Sequence, residues 1–305
     1  MSPKLLVTID TELSSFPAGQ GLWGRVDGEE WGLARLLGAF REEGVVATFF
    51  LDAYGGNDAD RAEQRRAAER IVGDGHDLQL HTHPGPSFDR SRPRLRDYDE
   101  AGQEEILEHG GARLEEWTGR RPTLHRAGDW AVDERSMAAL GRRGFRGDFS
   151  ACLWSRECRL EPRTIAGNGW TRRGSLLCGV GTCYRDALTG RIRRLDLGGV
   201  SFSEVEEVVS LAIDPLILTL HSFSLLRYDR TRTRFAPDRE YLARLRRFLR
   251  HAREGVGYEV TSAVDAVSLL EKRPAEDLPW AAFPTSGLGA SCAGLLKSLG
   301  DRVRR

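Results

Sequence analysis

A chain of 305 residues with 40% hydrophobic content is long enough to bury a substantial core, and 34 glycines supply the turns of a repeating architecture. Its 45 basic and 45 acidic residues cancel to a formal net charge of zero, which argues against nucleic acid or an anionic membrane as partner. No stretch approaches the roughly twenty apolar residues of a bilayer span, and the amino terminus lacks the basic start and cleavage site of a signal peptide, so a cytoplasmic location is expected.

The first predicted strand, 4–10, runs into L-L-V-T-I-D-T-E, so that Asp10 and Glu12 stand two apart where an apolar run stops. Side chains two apart on a strand share a face. Alternatively, Asp10 caps or turns the chain. A helix over 30–43 leads to a strand over 45–51, a continuous apolar run read as scaffold covered on both sides. A helix over 59–73 and a strand over 77–82 follow. That strand carries L-Q-L-H-T-H-P at 78–84; a strand that continues through His83 places His81 and His83 on one side, where neutral imidazoles can ligate a divalent metal, and the alternative is an ordinary turn before Pro84.

After a helix over 99–118, the strand over 122–126 leads into L-H-R-A-G-D-W, leaving Arg126, Asp129 and Trp130 at its tip. Arginine holds a carboxylate in bidentate fashion, which makes Arg126 a candidate partner of Asp10. A helix over 133–143 and a strand over 145–149 precede a stretch, about 151–202, that breaks the alternation and is expected to be an irregular insertion with short hairpins. A helix over 203–212 then leads to a strand over 215–221 ending in His221. Helix 237–253, strand 257–261 and helix 262–271 complete the series, and the Pro-containing segment 273–305 is expected to be a peripheral tail.

Strands alternating with helices at this period mean parallel strands joined by crossovers, and residues 1–272 are expected to form a distorted or incomplete (β/α) barrel, an α/β fold. Polar residues at several strand ends suggest one common site, because ligands of such folds gather outside the carboxyl ends of strands. His76, His109, His125 and His251 are expected to be solvent-facing or ordinary packed residues. The arginines at 244–250 are read as a solvated helix face and those at 302–305 as a tail. Five cysteines, an odd number without C-x-x-C spacing, read as reduced thiols.

In their order and spacing, T-I-D-T-E at 8–12, G-V-V-A-T-F-F at 44–50, H-T-H-P at 81–84, H-R-A-G-D-W at 125–130 and L-H-S-F at 220–223 resemble the motifs of the polysaccharide deacetylases of the NodB-homology type, carbohydrate esterase family four. The resemblance covers roughly 4–270. It implies a distorted (β/α) barrel and metal-dependent removal of an acetyl group from an N-acetylated or O-acetylated carbohydrate. Carried over by position, Asp10 matches the general base, His81 and His83 the metal histidines, Arg126 the arginine that positions the base, and His221 the acid, a role that Asp148 could promote. Asp129, Trp130 and Trp154 become candidates for substrate binding; Trp154, Trp170 and Tyr184 suit either a sugar-stacking surface or the core.

Two features depart from the family. Thr11 replaces the second of two adjacent aspartates, so either Glu12 is the carboxylate ligand or Asp10 itself binds metal. The histidines also stand two apart where the family spaces them four apart. The implied cofactor is one divalent metal, with zinc the expected ion, and the implied partner is a small-molecule or oligosaccharide substrate; oligomeric state is left open. Two other readings use the same residues: a metal-free cyclic-amide hydrolase on the same barrel, and a catalytically silent sugar-binding protein.

Overall fold

The computed structural model describes residues 2–13, 19–162 and 165–293. Ten strands form the main sheet: β1 (Lys4–Thr11), β2 (Thr48–Asp52), β3 (Asp77–Thr82), β4 (Leu124–Ala127), β5 (Gly147–Asp148), β6 (Gly167–Arg173), β7 (Leu176–Val180), β8 (Leu216–His221), β9 (Glu259–Val260) and β10 (Trp280–Ala282). Their order is β8-β1-β2-β3-β4-β5-β7-β6-β10, with β9 beside the start of β1. From β8 to β7 every pairing is parallel, while β6 and β10 add antiparallel at the far edge. The chain is a distorted (β/α) barrel, and between β7 and β8 the barrel has no ladder.

Seven helices alternate with these strands: α1 (Leu33–Glu43), α2 (Asp58–Gly73), α3 (Glu100–Thr118), α4 (Glu134–Arg142), α5 (Phe202–Ser210), α6 (Arg239–Arg250) and α7 (Ala263–Leu270). Their starts are set locally. Asn57, Asp99, Asp133, Ser201, Asp238 and Ser262 each accept, through the side chain, a backbone N–H three residues on, satisfying donors that the first turn leaves unpaired.

Strand alternation divides the core in two. Leu5, Val7 and Ile9 face outward and pack with Phe49, Leu51 and Leu80 against helical residues such as Leu36, Phe40, Ile71 and Leu245. Leu6, Phe50, Leu124, Leu177 and Ile217 face inward and pack with Ala263, Ala266, Val267 and Leu270, so α7 plugs the amino-terminal end of the barrel. Two and four residues beyond Leu6, the inward face of β1 carries Thr8 and then Asp10. The apolar plug below and the carboxyl strand ends above leave polar groups one place to converge.

Each sequence-predicted element lies close to an observed one, with differences at the ends. Strand 45–51 begins only at Thr48, and 145–149 shrinks to Gly147–Asp148. Strand 257–261 shrinks to two residues that pair with the start of β1. Helix 237–253 ends at Arg250 and continues as a π-helical turn, His251–Val256.

The stretch 151–202 contains the expected hairpins, but the first of them, β6–β7, belongs to the main sheet. Glycines hid β6 from a pattern search, and their reason is the neighbour: a Cβ on Gly167 or Gly169 would lie 2.4 or 2.2 Å from the backbone oxygens of Ala281 or Pro279. Within 273–305, Trp280–Ala282 therefore forms an edge strand, and the segment 294–305, with its terminal arginines, lies outside the described residues. Arg246, Arg247 and Arg250 of α6 pair with Glu42, Glu206 and Glu43. Among the described residues no helix is long and apolar enough to cross a membrane.

Candidate active site

Register aligns the site before any side chain is considered. His221 of β8 pairs with Asp10 of β1, which pairs with Phe50 of β2; Asp52 of β2 pairs with His81 of β3, which pairs with Arg126 of β4. Strand ends thereby bring six of the nine predicted site residues, Asp10, Glu12, His81, His83, Arg126 and His221, into one group.

Arg126 is fully buried, and its guanidinium is fixed on every side. Nη1 donates to Asp10 Oδ1 at 2.7 Å, Nη2 to Thr8 Oγ1 at 2.9 Å and Nε to the Phe149 carbonyl at 3.1 Å, while the Phe50 ring lies 4.4 Å from its Cζ. Burial pushes the Asp10 carboxyl toward its neutral form, but Arg126, with His81 and His221 nearby, holds it below the usual carboxylate range. Asp10 is thus ionised, and its second oxygen, Oδ2, lies 4.0 Å from His221 Nε2.

The two histidines of the H-T-H segment converge on one oxygen. Glu12 Oε1 lies 3.3 Å from His81 Nε2 and 3.4 Å from His83 Nε2. His81 Nδ1–H donates to the Arg126 carbonyl at 2.8 Å, which leaves the lone pair of Nε2 directed toward Glu12. His83 Nε2 is buried and, among the described residues, its close approach is to Glu12 Oε1. Two imidazole nitrogens and a carboxylate oxygen, all within 4.8 Å of one another, fit a small divalent ion. Asp10, Glu12 and His221 form a second such group, sharing Glu12. The first offers two imidazoles, one with its proton already placed on the far nitrogen, and fits a metal of the zinc type better.

Charge in the pocket follows from this convergence. Burial disfavours ionised Glu12, yet the charge of His83 above all holds it well below the usual range. Burial likewise disfavours charged His83, yet Glu12, assisted by Asp52 and Asp129, raises it to about 9.

One wall is aromatic. His221 stacks on Phe223 with ring centroids 4.9 Å apart, and its edge meets Trp130 at 6.5 Å; Trp130 in turn meets Trp154 at 5.6 Å. Asp129 turns outward onto Arg94, with Nε–Oδ2 at 3.0 Å. Both Asp129 and Trp130 have positive φ, 57° and 55°, a conformation that non-glycine residues rarely adopt and that a site must hold in place. Just before them, a Cβ on Gly128 would lie 2.3 Å from the His83 ring, so only glycine lets the turn pass over that histidine. Trp170 and Tyr184 are buried core residues away from this wall, Tyr184 donating to Glu204.

Asp148 does not serve His221. It accepts from His125 Nδ1–H at 2.7 Å on the outer side of the sheet, also binds Ser150, and is completely buried. Adjacent strand residues point to opposite faces, so His125 is turned away from the site that Arg126 enters. The carboxylates near His221 are Asp10 and Glu12.

Sequence reasoning missed Asp52. It ends an apolar run, is buried, accepts from the Tyr54 N–H at 3.1 Å, and faces His83 and His81; burial raises its carboxyl to about 6. An acid at the carboxyl end of a barrel strand was the available signal.

Residues 27–147 match the polysaccharide deacetylase family model. A search of curated protein sequences finds no match. Among solved structures, the chain is similar to a protein of Mycobacterium smegmatis assigned to the polysaccharide deacetylases, at 17% identity and TM-score 0.56, covering 88% of this chain and 91% of that one. It is also similar to the chitin deacetylase of the fungal pathogen Colletotrichum lindemuthianum, at 12% identity and TM-score 0.51, covering 92% of each. At these identities the likeness concerns the fold.

Proposed function

We propose, from the premise that residues 27–147 belong to the polysaccharide deacetylase family, that this chain is a metal-dependent hydrolase that removes an acetyl group from an N-acetylated or O-acetylated carbohydrate. The observation that carries the reading is the meeting of His81 Nε2 and His83 Nε2 on Glu12 Oε1, beside an Asp10 carboxylate locked by Arg126.

A zinc-type ion held by His81, His83 and Glu12 would supply a polarised acetyl carbonyl and a water of lowered pKa. The chain's own residues supply the rest. Arg126 keeps Asp10 ionised and oriented with Oδ1 occupied, leaving Oδ2 to take the proton of the attacking water. His221 Nε2, 4.0 Å from Asp10 Oδ2, delivers a proton to the departing amine or hydroxyl. Trp130 and Trp154 form a surface against which an apolar sugar face can lie, and Asp129, held by Arg94, stands at its rim.

Elemental analysis before and after chelation, with acetate release from N-acetylated sugar oligomers measured on the same samples, tests the reading. Near-stoichiometric metal, loss of acetate release on chelation and its return on adding metal are expected. Asp10→Asn should keep the metal and lose about 10²–10⁴-fold in kcat. Protein that takes up no metal after reconstitution, or releases acetate equally well without it, overturns the proposal and favours the metal-free hydrolase or sugar-binding reading.

A further inference from the structure

Glu12 faces two sets of donor atoms, and the deacetylase reading places a metal on one of them. On its other side stand Asp10 Oδ2 and His221 Nε2, 4.0 Å from each other, and the same histidine nitrogen lies 4.0 Å from Glu12 Oε1. One ligand atom from each of these three residues lies within 4.8 Å of the other two.

Backbone contacts hold this second set in place. Asp10 and His221 are register partners on β1 and β8. One residue further, the Ser222 N–H donates to the Asp10 carbonyl at 2.9 Å, and Ser222 Oγ accepts the Glu12 N–H at 3.2 Å while donating to the Gly21 carbonyl at 2.6 Å. The His221 ring is fixed by its stacking on Phe223. Asp10 and Glu12 are buried, whereas the His221 side chain is 25% exposed, so an ion from solvent enters past His221.

Distance and charge rank the two sets. Donors held about 2.1 Å from one ion in a tetrahedral array stand about 3.4 Å apart. His81 and His83 meet Glu12 at 3.3 and 3.4 Å, close to that spacing, whereas the contacts of His221 are 4.0 Å and must close in. Arg126, 2.7 Å from Asp10 Oδ1, and an ion already held by the two histidines both repel another cation. Two carboxylates and one imidazole are nonetheless a donor set that zinc and manganese accept. The second set therefore fills after the first, at higher free metal.

We propose that Asp10, Glu12 and His221 hold a second divalent ion of lower affinity, and that this ion shuts off hydrolysis. The proposal rests on the deacetylase reading. Coordination takes Asp10 Oδ2, the oxygen that receives the proton of the attacking water, and His221 Nε2, the nitrogen that delivers a proton to the leaving group. Base and acid are thus lost together, with no bond of the substrate made or broken. Glu12, with two carboxylate oxygens, serves both ions, as in sites whose two metals stand about 3.5–4 Å apart.

The test titrates the metal-free full chain with zinc by equilibrium dialysis, reading bound zinc per chain and acetate release from N-acetylated sugar oligomers on the same samples. A first zinc that brings activity and a second, at higher free zinc, that removes it are expected, with activity returning when the excess is dialysed away. Bound zinc is the readout that does not depend on turnover. His221→Phe, which keeps a ring on Phe223, and Asp10→Asn should each bind the first zinc like the unaltered chain and the second at least about 10-fold more weakly, since removing a ligand costs no less than disturbing what orients one. One zinc per chain with activity undiminished in a large excess of the metal, a second zinc retained by both variants, or a second zinc that raises activity overturns the proposal. A chain that takes up no zinc, or releases no acetate at any zinc level, fails the deacetylase reading itself, and the inhibition falls with it.

Discussion

His83 sets the charge balance of the metal-free pocket. Burial disfavours its charged form, but Glu12 above all raises it to about 9, so near neutral pH the ring carries a proton that a metal must displace. Zinc binding between pH 7 and 8 should therefore release roughly one proton per ion, and affinity should rise with pH up to about 9. Calorimetric titration in two buffers of different ionisation enthalpy reads the proton count, and zinc uptake without proton release would remove His83 from the ligand set. The same shift governs stability. The folded value lies above the unfolded value of about 6.5, so this group's contribution to the metal-free protein is present below that pH and lost as pH rises through about 9. Asp10, Glu12, His81, Arg126 and His221 were legible because each ends an apolar run. Asp52 also follows one, V-V-A-T-F-F-L at 45–51, but that run reads as scaffold and hides the acid that comes directly after it. The pairing of Asp148 with His125 was illegible, because it depends on which face each side chain takes in a strand of two residues.

At the scale of elements, the turn after β4 decides whether the second histidine can reach its partners. His83 sits beyond the end of β3, past the ladder that fixes His81, and the turn at Gly128 closes over its ring. Gly128→Ala should displace that ring, because a Cβ 2.3 Å away has no room, and zinc affinity should fall about 10–100-fold, the usual cost of disturbing what orients a ligand. Competition with a fluorescent chelator measures the affinity, and near-UV circular dichroism reports whether the fold persists. Unchanged affinity in a folded variant would mean that the turn does not hold His83. Long helices such as α2 and α3 were legible from periodicity, and the caps Asn57 and Asp99 set their observed starts. The β6–β7 hairpin was not, because glycines chosen for contact with β10 erase the apolar alternation that marks a strand.

At the scale of the molecule, the parallel run from β8 to β7 curls without closing by a ladder, and the side chain of Thr182 makes a hydrogen bond across the seam. Thr182, just past β7 and buried, accepts the Ile217 N–H of β8 through Oγ1 at 2.7 Å, while its carbonyl accepts the Leu195 N–H at 2.9 Å. Ile217 belongs to the apolar plug packed against α7, and His221 stands four residues further along the same strand. Thr182→Val keeps the shape and removes the acceptor, leaving the Ile217 N–H buried and unpaired at a cost of about 1–3 kcal/mol. Denaturant unfolding should show that loss. A β8 freed at its outer edge should also carry His221 away from Asp10 and Glu12, so acetate release should fall more than zinc content, whose ligands lie on and beyond β1 and β3 and are held by the β1–β2–β3 ladders. Equal stability in Thr182→Val would show that helix packing alone closes the barrel, and equal loss of metal and activity would show that the seam supports the whole pocket and not His221 in particular.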